Sequence, residues 1–166
     1  MYAVVMKKTD PIQIREASLE DVDAIAALYY NTIGNVNERD YTPDQIAAWA
    51  GDAPEPDKWR RRLAGRQTFV ACLEDIIVGF AEFEADGHID AFYVHQEHQG
   101  EGIGTRLLNR IEQEAEQAAI DRLYTEASIT ALPFFEKRGF VVVQPQEVEY
   151  RGMKFRNYRM EKRRSS

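Results

Sequence analysis

The chain has 166 residues, 44% hydrophobic and 30% charged, with a net charge of −7, which is one domain's worth of chain and enough to bury a core of its own. The acidic balance opposes general affinity for nucleic acid, whose phosphates demand clustered Lys and Arg, and no apolar run reaches the length of a membrane span. A lone cysteine, Cys72, excludes an internal disulfide and gives no zinc set, and the first residues are too short and too poorly flanked for a signal peptide, so a cytoplasmic protein is expected.

Residues 1–11 read as an N-terminal tail and 12–161 as a single domain. Residues 162–166, with the basic Lys162, Arg163 and Arg164, read as a solvated C-terminal tail. Residues 12–15 alternate and predict a strand. Ser18 with Asp21 then signals a capped helix carrying Val22, Ile25, Leu28 and Tyr29. Thr42-Pro43-Asp44-Gln45 is a stronger start: Thr42 can cap, Pro43 suits the first helical position and Gln45 can reach back, which predicts a short helix through Trp49. A loop rich in Pro and Asp at 51–57 leads to another helix at 59–63, with Arg60, Arg61 and Arg62 expected on its outer face. Strands at 67–73, 76–84 and 88–94, joined at Glu74-Asp75 and at Asp86-Gly87, predict an antiparallel meander with Cys72 as a small core residue. On the last of these strands, alternation places His88, Asp90, Phe92 and Val94 on one face and Ile89, Ala91, Tyr93 and His95 on the other.

After Val94 the chain runs through Gly100, Gly102 and Gly104 into apolar residues at helical spacing, Ile103, Leu107, Leu108, Ile111, Ala115 and Ala118. A glycine-lined turn therefore opens a helix at 102–119, and its unpaired N–H groups suit a phosphate or pyrophosphate. No Lys-Ser or Lys-Thr pair follows, so a Walker-type loop is excluded. The dinucleotide fingerprint fits poorly, because no third glycine stands at its spacing after Gly104 and the turn lies past mid-chain, although Asp121 stands near the expected acidic position. His95 and His98 have no third ligand at suitable spacing, so no metal is expected. The helix crosses back to a strand at 122–126, parallel to the one it left, followed by a short helix at 129–137 and a hairpin of 140–144 with 147–160, turning at Arg151-Gly152.

The spacing Gln99-x-x-Gly102-x-Gly104 resembles the acetyl-coenzyme A pyrophosphate loop of the GNAT-type N-acetyltransferases. The segment from Arg122 to Phe140 is similar to the same superfamily's later strand, short helix and Gly-Phe turn. Ser128 stands at its usual Asn, Ala131 at its Ala and Phe135 at its Tyr, and Gly139-Phe140 closes the pattern. The resemblance covers residues 12–160 and, within the superfamily, points to the bacterial group written with Glu-Ala-Ser and Phe-Phe-Glu in this segment. It implies an α/β fold of the GNAT acyl-CoA N-acyltransferase type, a mixed, mostly antiparallel central sheet flanked by helices. It also implies direct transfer of acetyl from acetyl-coenzyme A, as co-substrate, to a primary amine of a small molecule or peptide. No metal, nucleic acid or membrane partner is expected, and the chain is expected to be a monomer or homodimer.

Carried onto this sequence, the resemblance assigns the cofactor to Phe92, Tyr93 and Val94, to Gln99, Gly100, Glu101, Gly102, Ile103, Gly104 and Thr105, and to Ser128 and Phe135. The three glycines would keep side chains out of the phosphate's path. Ser128 can bond the pantetheine arm, cap the helix that follows, or both. A free alkylamine has a pKa near roughly 10, so a carboxylate or imidazole must take its proton. Asp90 is the first choice and His88 the second, with Glu82, Glu84 and Glu126 open. Phe135 lacks the hydroxyl of the usual Tyr acid, which leaves Tyr158, Tyr150 or a water to meet the departing thiolate. The acceptor falls to the N-terminal helices, where Tyr29, Tyr30 and Trp49 are expected to line its pocket, with Asn31, Tyr41 and Trp59 close by in sequence. Two other readings stand beside this one: a non-catalytic acetyl-coenzyme A sensor, and a structural protein whose glycine turn is only packing.

Overall fold

The computed structural model describes residues 11–164; the expected N-terminal tail up to residue 10 lies outside them. Strand β1 (Ile12–Glu16) leads into a capping box in which Ser18 N–H donates to the Asp21 carboxylate at 2.8 Å. Arg15 clamps the same carboxylate at 2.7 and 2.9 Å. A short 3-10 turn then opens α1 (Val22–Asn35). The second box forms as its sequence predicts: Thr42 N–H donates to Gln45 Oε1 at 2.8 Å, and Gln45 N–H donates to Thr42 Oγ1 at 3.2 Å, starting α2 (Pro43–Ala50). Helix α3 (Pro56–Gly65) starts on a proline.

The meander β2 (Gln67–Leu73), β3 (Ile76–Phe83) and β4 (His88–Val94) follows. Next come α4 (Ile103–Gln117), β5 (Arg122–Ser128), α5 (Leu132–Lys137), β6 (Val141–Tyr150) and β7 (Met153–Arg163). Among the described residues the strands form one sheet in the order β1-β2-β3-β4-β5-β7-β6, antiparallel throughout except for β4 with β5. Helices cover both faces. On one face Ile103, Leu107, Leu108 and Ile111 of α4 pack with Phe135 of α5 on Phe69, Ala71 and Ala81. On the other, Val22, Ile25, Tyr29 and Ile33 of α1 and Trp59 of α3 pack on Val70, Phe80 and Ala91. Because β2 is covered on both sides, its run Phe69-Val70-Ala71-Cys72 is apolar without alternation, and Cys72 is a buried core residue.

Two departures from regularity shape the centre of the sheet. Phe83 pairs with Ile89 and Glu82 with Ala91, so Asp90 is the extra residue of a bulge in β4. The bulge overturns the alternation expected from sequence: Ile89, Phe92 and Val94 pack on the α4 side, while Ala91 and Tyr93 pack on the α1 side. The second departure is that β4 and β5 pair only at His88 with Tyr124 and Ile89 with Thr125, after which they part.

The C-terminal hairpin is longer than its sequence suggests. The expected break at Pro145 does not occur, because β6 is the outermost strand and a residue without an N–H is tolerated there. Lys162 and Arg163 belong to β7, paired with Leu123 and Arg122, rather than to a tail. Lys162 Nζ meets Glu112 at 2.5 Å and Arg164 N–H donates to the Asp121 carbonyl at 2.8 Å, so side-chain and backbone partners extend order past the expected boundary.

Candidate active site

The parting of β4 from β5 leaves a cavity of about 640 Å³ lined from both faces of the sheet. One end is formed by the glycine turn, the start of α4 and α5; the other by α1, α2 and α3 with the tip of the β6–β7 hairpin.

At the first end the helix start is open. No side chain caps α4, and its first N–H groups have no intrahelical carbonyl to meet. Gly100 and Gly102 take φ of +77° and +82°, and no atom lies within 4 Å of where a side chain would begin at either one. Gly104 differs: a side-chain carbon there would stand 2.8 Å from the Phe134 ring. Its lack of a side chain serves helix packing, which corrects the expectation that all three glycines clear the phosphate's path. Gln99 Nε2 donates to the Val94 carbonyl at 2.6 Å and ties the turn to the end of β4. Glu101 pairs with His98 at 2.6 Å and its side chain does not line the cavity, so only its backbone can serve the turn.

Phe92, Val94 and Ile103 pack on the α4 side and, with Thr105, line the cavity there, whereas the Tyr93 ring lines it from the α1 side. Ser128 lines it while its Oγ accepts from Ala131 N–H at 3.0 Å; this closes the turn before α5, which starts at Leu132 with Ala131 as N-cap and not at Ile129 as expected, so Ser128 does not cap the helix. Phe135 is 1% exposed among the rings of Phe92, Phe134 and Phe140, with centroids 5.1–5.4 Å apart, and can only pack. Arg138 escaped the sequence reading. Its guanidinium stacks 3.7 Å from the Phe134 centroid and bonds Thr105 Oγ1 through Nε at 3.1 Å, which places a cation at the open helix start. Nothing in the Lys-Arg-Gly-Phe stretch sets this arginine apart from a solvated one.

The opposite end is aromatic. Tyr29 and Trp49 line it, joined by Tyr41, Trp59, Tyr93 and Phe155, with Tyr29–Trp59 centroids at 4.8 Å and Tyr41–Trp49 at 5.2 Å. Tyr30 does not line it. Consecutive helical residues point about 100° apart, and the Tyr30 hydroxyl instead donates to the Asp52 carbonyl at 3.3 Å on the outer side. Of the arginine run on α3, Arg60 and Arg61 are exposed as expected, but Arg62 reaches inward, bonding Glu82 through Nε at 2.9 Å and Asp90 through Nη2 at 2.7 Å. Glu82 has a fully buried side chain. Burial pushes its pKa up, against the pull of the Arg62 hydrogen bonds.

The two expected bases stand in different surroundings. Asp90 lines the cavity through the bulge, and its Oδ2 accepts from Arg62 at 2.7 Å and forms an ion pair with Arg66 at 3.1 Å. Its Oδ1 has no protein partner among the described residues. His88 stacks on Tyr124 and does not line the cavity. Its Nδ1 lies 2.8 Å from Glu84 and its Nε2 2.5 Å from Glu126. Burial disfavours its charge, but the hydrogen bonds to Glu126 and Glu84 outweigh it and raise the pKa to about 9. At neutral pH both ring nitrogens are therefore donors, which removes His88 as a direct base. Glu126 lines the cavity. Tyr158 does not: Phe155 and Asn157 take that face of β7, and of the expected proton donors Tyr150 is the one that lines the cavity. Glu84, His88 and Asp90 bring ligand atoms within 4.8 Å of one another, but Arg62 and Arg66 already neutralise these carboxylates. His95 Nδ1 accepts from Glu97 N–H at 3.1 Å and acts as a cap. No helix among the described residues is long and apolar enough to cross a membrane.

Residues 37–162 match the acetyltransferase (GNAT) domain family. Over 149 residues, 90% of this chain and 94% of the relative, the chain is 34% identical to Uncharacterized N-acetyltransferase YafP of Escherichia coli (strain K12). It is 31% identical over 116 residues to L-amino acid N-acyltransferase MnaT of the same organism, covering 63% of each chain. The crystal structure of the GCN5-related N-acetyltransferase: aminotransferase, class-II, from Rhodopseudomonas palustris superposes with a TM-score of 0.88 at 34% identity, over 95% of this chain and 98% of that one. A mixed sheet parted beside an open helix start, and matches of this extent, lead to one conclusion: the chain belongs to the GNAT family of acetyltransferases, acetyl-coenzyme A-dependent acyltransferases.

Proposed function

We propose that the protein transfers the acetyl group of acetyl-coenzyme A directly to a primary amine of a small molecule or peptide, the two substrates meeting where β4 and β5 part. The observation that carries this reading is the single cavity lined from both faces of the sheet, with an uncapped helix start at one end and an aromatic chamber at the other. The pyrophosphate sits against the N–H groups from Gly100 to Thr105, with Arg138 beside them. The pantetheine arm lies along Phe92 to Val94, whose backbone β5 has left unpaired, and passes Ser128.

The amine arrives protonated, and two carboxylates face it. Asp90, paired with Arg62 and Arg66, holds the ammonium; Glu126 takes the proton and returns it to water. The role expected for Asp90 passes to Glu126 because two guanidinium groups hold Asp90 in place, whereas Glu126 has His88 alone as its partner among the described residues. The neutral nitrogen attacks the thioester carbonyl, the N–C bond forms, the C–S bond breaks with its electron pair leaving on the coenzyme A sulfur, and the second proton lost by the nitrogen goes to that sulfur. A thiol of pKa near roughly 8.5 makes a tolerable leaving group, so stabilising dipoles and the Tyr150 hydroxyl suffice without the phenol that Phe135 lacks. A small acceptor is supported by the way the β6–β7 tip is fastened over the chamber. Arg151 pairs with Glu55 at 3.0 Å, Tyr41 donates to the Arg156 carbonyl at 2.8 Å, and Gln45 donates to the Lys154 carbonyl at 2.7 Å.

The test is release of free thiol from acetyl-coenzyme A across a panel of amines, amino acids, polyamines, aminoglycosides and peptide N-termini. Turnover saturable in both substrates is expected. Cofactor binding with no thiol release by any amine would instead support a sensor.

A further inference from the structure

Lys58 differs from the other cations around the chamber. Arg62 and Arg66 are committed to Glu82 and Asp90, Arg151 is paired with Glu55, and Arg138 stands at the cofactor end. Among the described residues no carboxylate lies within ion-pair distance of Lys58 Nζ. It rests on aromatic faces, 4.7 Å from the Tyr29 centroid and 5.3 Å from that of Trp59, and it lines the cavity. Burial lowers its pKa, and an anion seated beside it would relieve that cost. Its place is fixed by α3, where it lies one residue before the buried Trp59 and four before the inward-facing Arg62.

We propose that Lys58 binds a carboxylate carried by the acceptor, so that the preferred substrate is a small amino acid with an apolar or aromatic side group. This rests on the acetyl-transfer reading above. A lone ammonium suits a singly charged carboxylate, because a phosphate draws several donors, as at the glycine turn. The chamber's charges set the orientation. Glu126 and Asp90 attract the ammonium of a zwitterion at the parted strands, while Lys58 repels it and holds the opposite end. The rings of Trp49, Tyr93 and Phe155 are left to receive the side group.

The experiment compares L-phenylalanine, L-phenylalaninamide and phenethylamine as acceptors, with the parent, Lys58→Met and Lys58→Arg, by thiol release. In the parent, kcat/KM is expected to be at least tenfold higher for the acid than for either uncharged analogue. In Lys58→Met the acid-to-amide ratio should fall toward one, chiefly through KM for the acid, and Lys58→Arg should restore part of it. Acetyl-coenzyme A affinity by calorimetry checks that each variant is folded. A parent ratio near one, or an equal loss for all three acceptors in Lys58→Met, overturns the proposal while acetyl transfer stands. Transfer confined to amines without an anionic group overturns it in the same way. Absence of both acetyl-coenzyme A binding and thiol release with every amine overturns the acetyltransferase reading itself.

Discussion

The two ends of the cavity are built from different materials. The cofactor end is made mainly of backbone: an uncapped helix start and two glycines at positive φ with empty space over them. The acceptor end is made of side chains, with rings and ion pairs contributed by α1, α2, α3, β4 and the β6–β7 hairpin. A pyrophosphate asks for N–H groups and room, which any sequence supplies if glycines are correctly spaced. An amine asks for particular carboxylates and walls, which are assembled from residues far apart in the chain.

The sharpest way to break this comparison is at the turn. Gly102→Glu should abolish measurable acetyl-coenzyme A binding in calorimetry while the protein stays folded, at a cost of about 1–2 kcal/mol for holding a non-glycine residue in the left-handed region. Gly104→Glu should instead damage the fold, because its side chain enters the space of Phe134. Identical behaviour of the two variants would remove the distinction between phosphate clearance and packing. Next in size is the proton transfer at the acceptor end: Glu126→Gln should lower kcat by about 10²–10⁴ with cofactor affinity unchanged, whereas Asp90→Asn should act mainly on KM for the amine. The larger kcat loss in Asp90→Asn would exchange their roles.

A stability test probes the side-chain construction itself. Arg62→Met strips the fully buried Glu82 of its partner and should cost about 3–5 kcal/mol in denaturant unfolding. The deficit should shrink as acid protonates Glu82, and a deficit under 1 kcal/mol at neutral pH would place the pair outside the core. The smallest effect belongs to His88. Its folded pKa of about 9 lies above its ordinary 6.5, so its stabilisation is complete below about 6.5, declines as the pH rises and is gone above 9. The thermal-melting difference between the parent and His88→Asn should narrow across that window. A difference constant from pH 6 to 9.5 would mean that the Glu84–His88–Glu126 chain holds no extra proton.

Most elements could be read from the chain because their signals are local. Thr42 with Gln45, the turns at Asp86-Gly87 and Arg151-Gly152, and the glycine turn each act within a few residues, and period-2 or helical spacing supplies the rest. The edges were missed where distant partners extend order, as Leu123 and Glu112 do for Lys162, or where an edge position excuses Pro145. The candidate site divides along the same line. The glycine turn, Ser128 and Phe135 line the cavity, and they were legible as candidates because a backbone site leaves a short contiguous pattern. The inward turn of Arg62, the His88 clamp, the outward turn of Tyr30 and the packing of Tyr158 on the α4-side core were not. Arg62 meets Asp90 from 28 residues away and His88 meets Glu126 from 38, and a one-residue bulge at Asp90 reassigned the faces of β4. Which face a side chain takes, and which charge it meets there, is settled by sheet register and helix docking, and these are decided only when the whole chain packs.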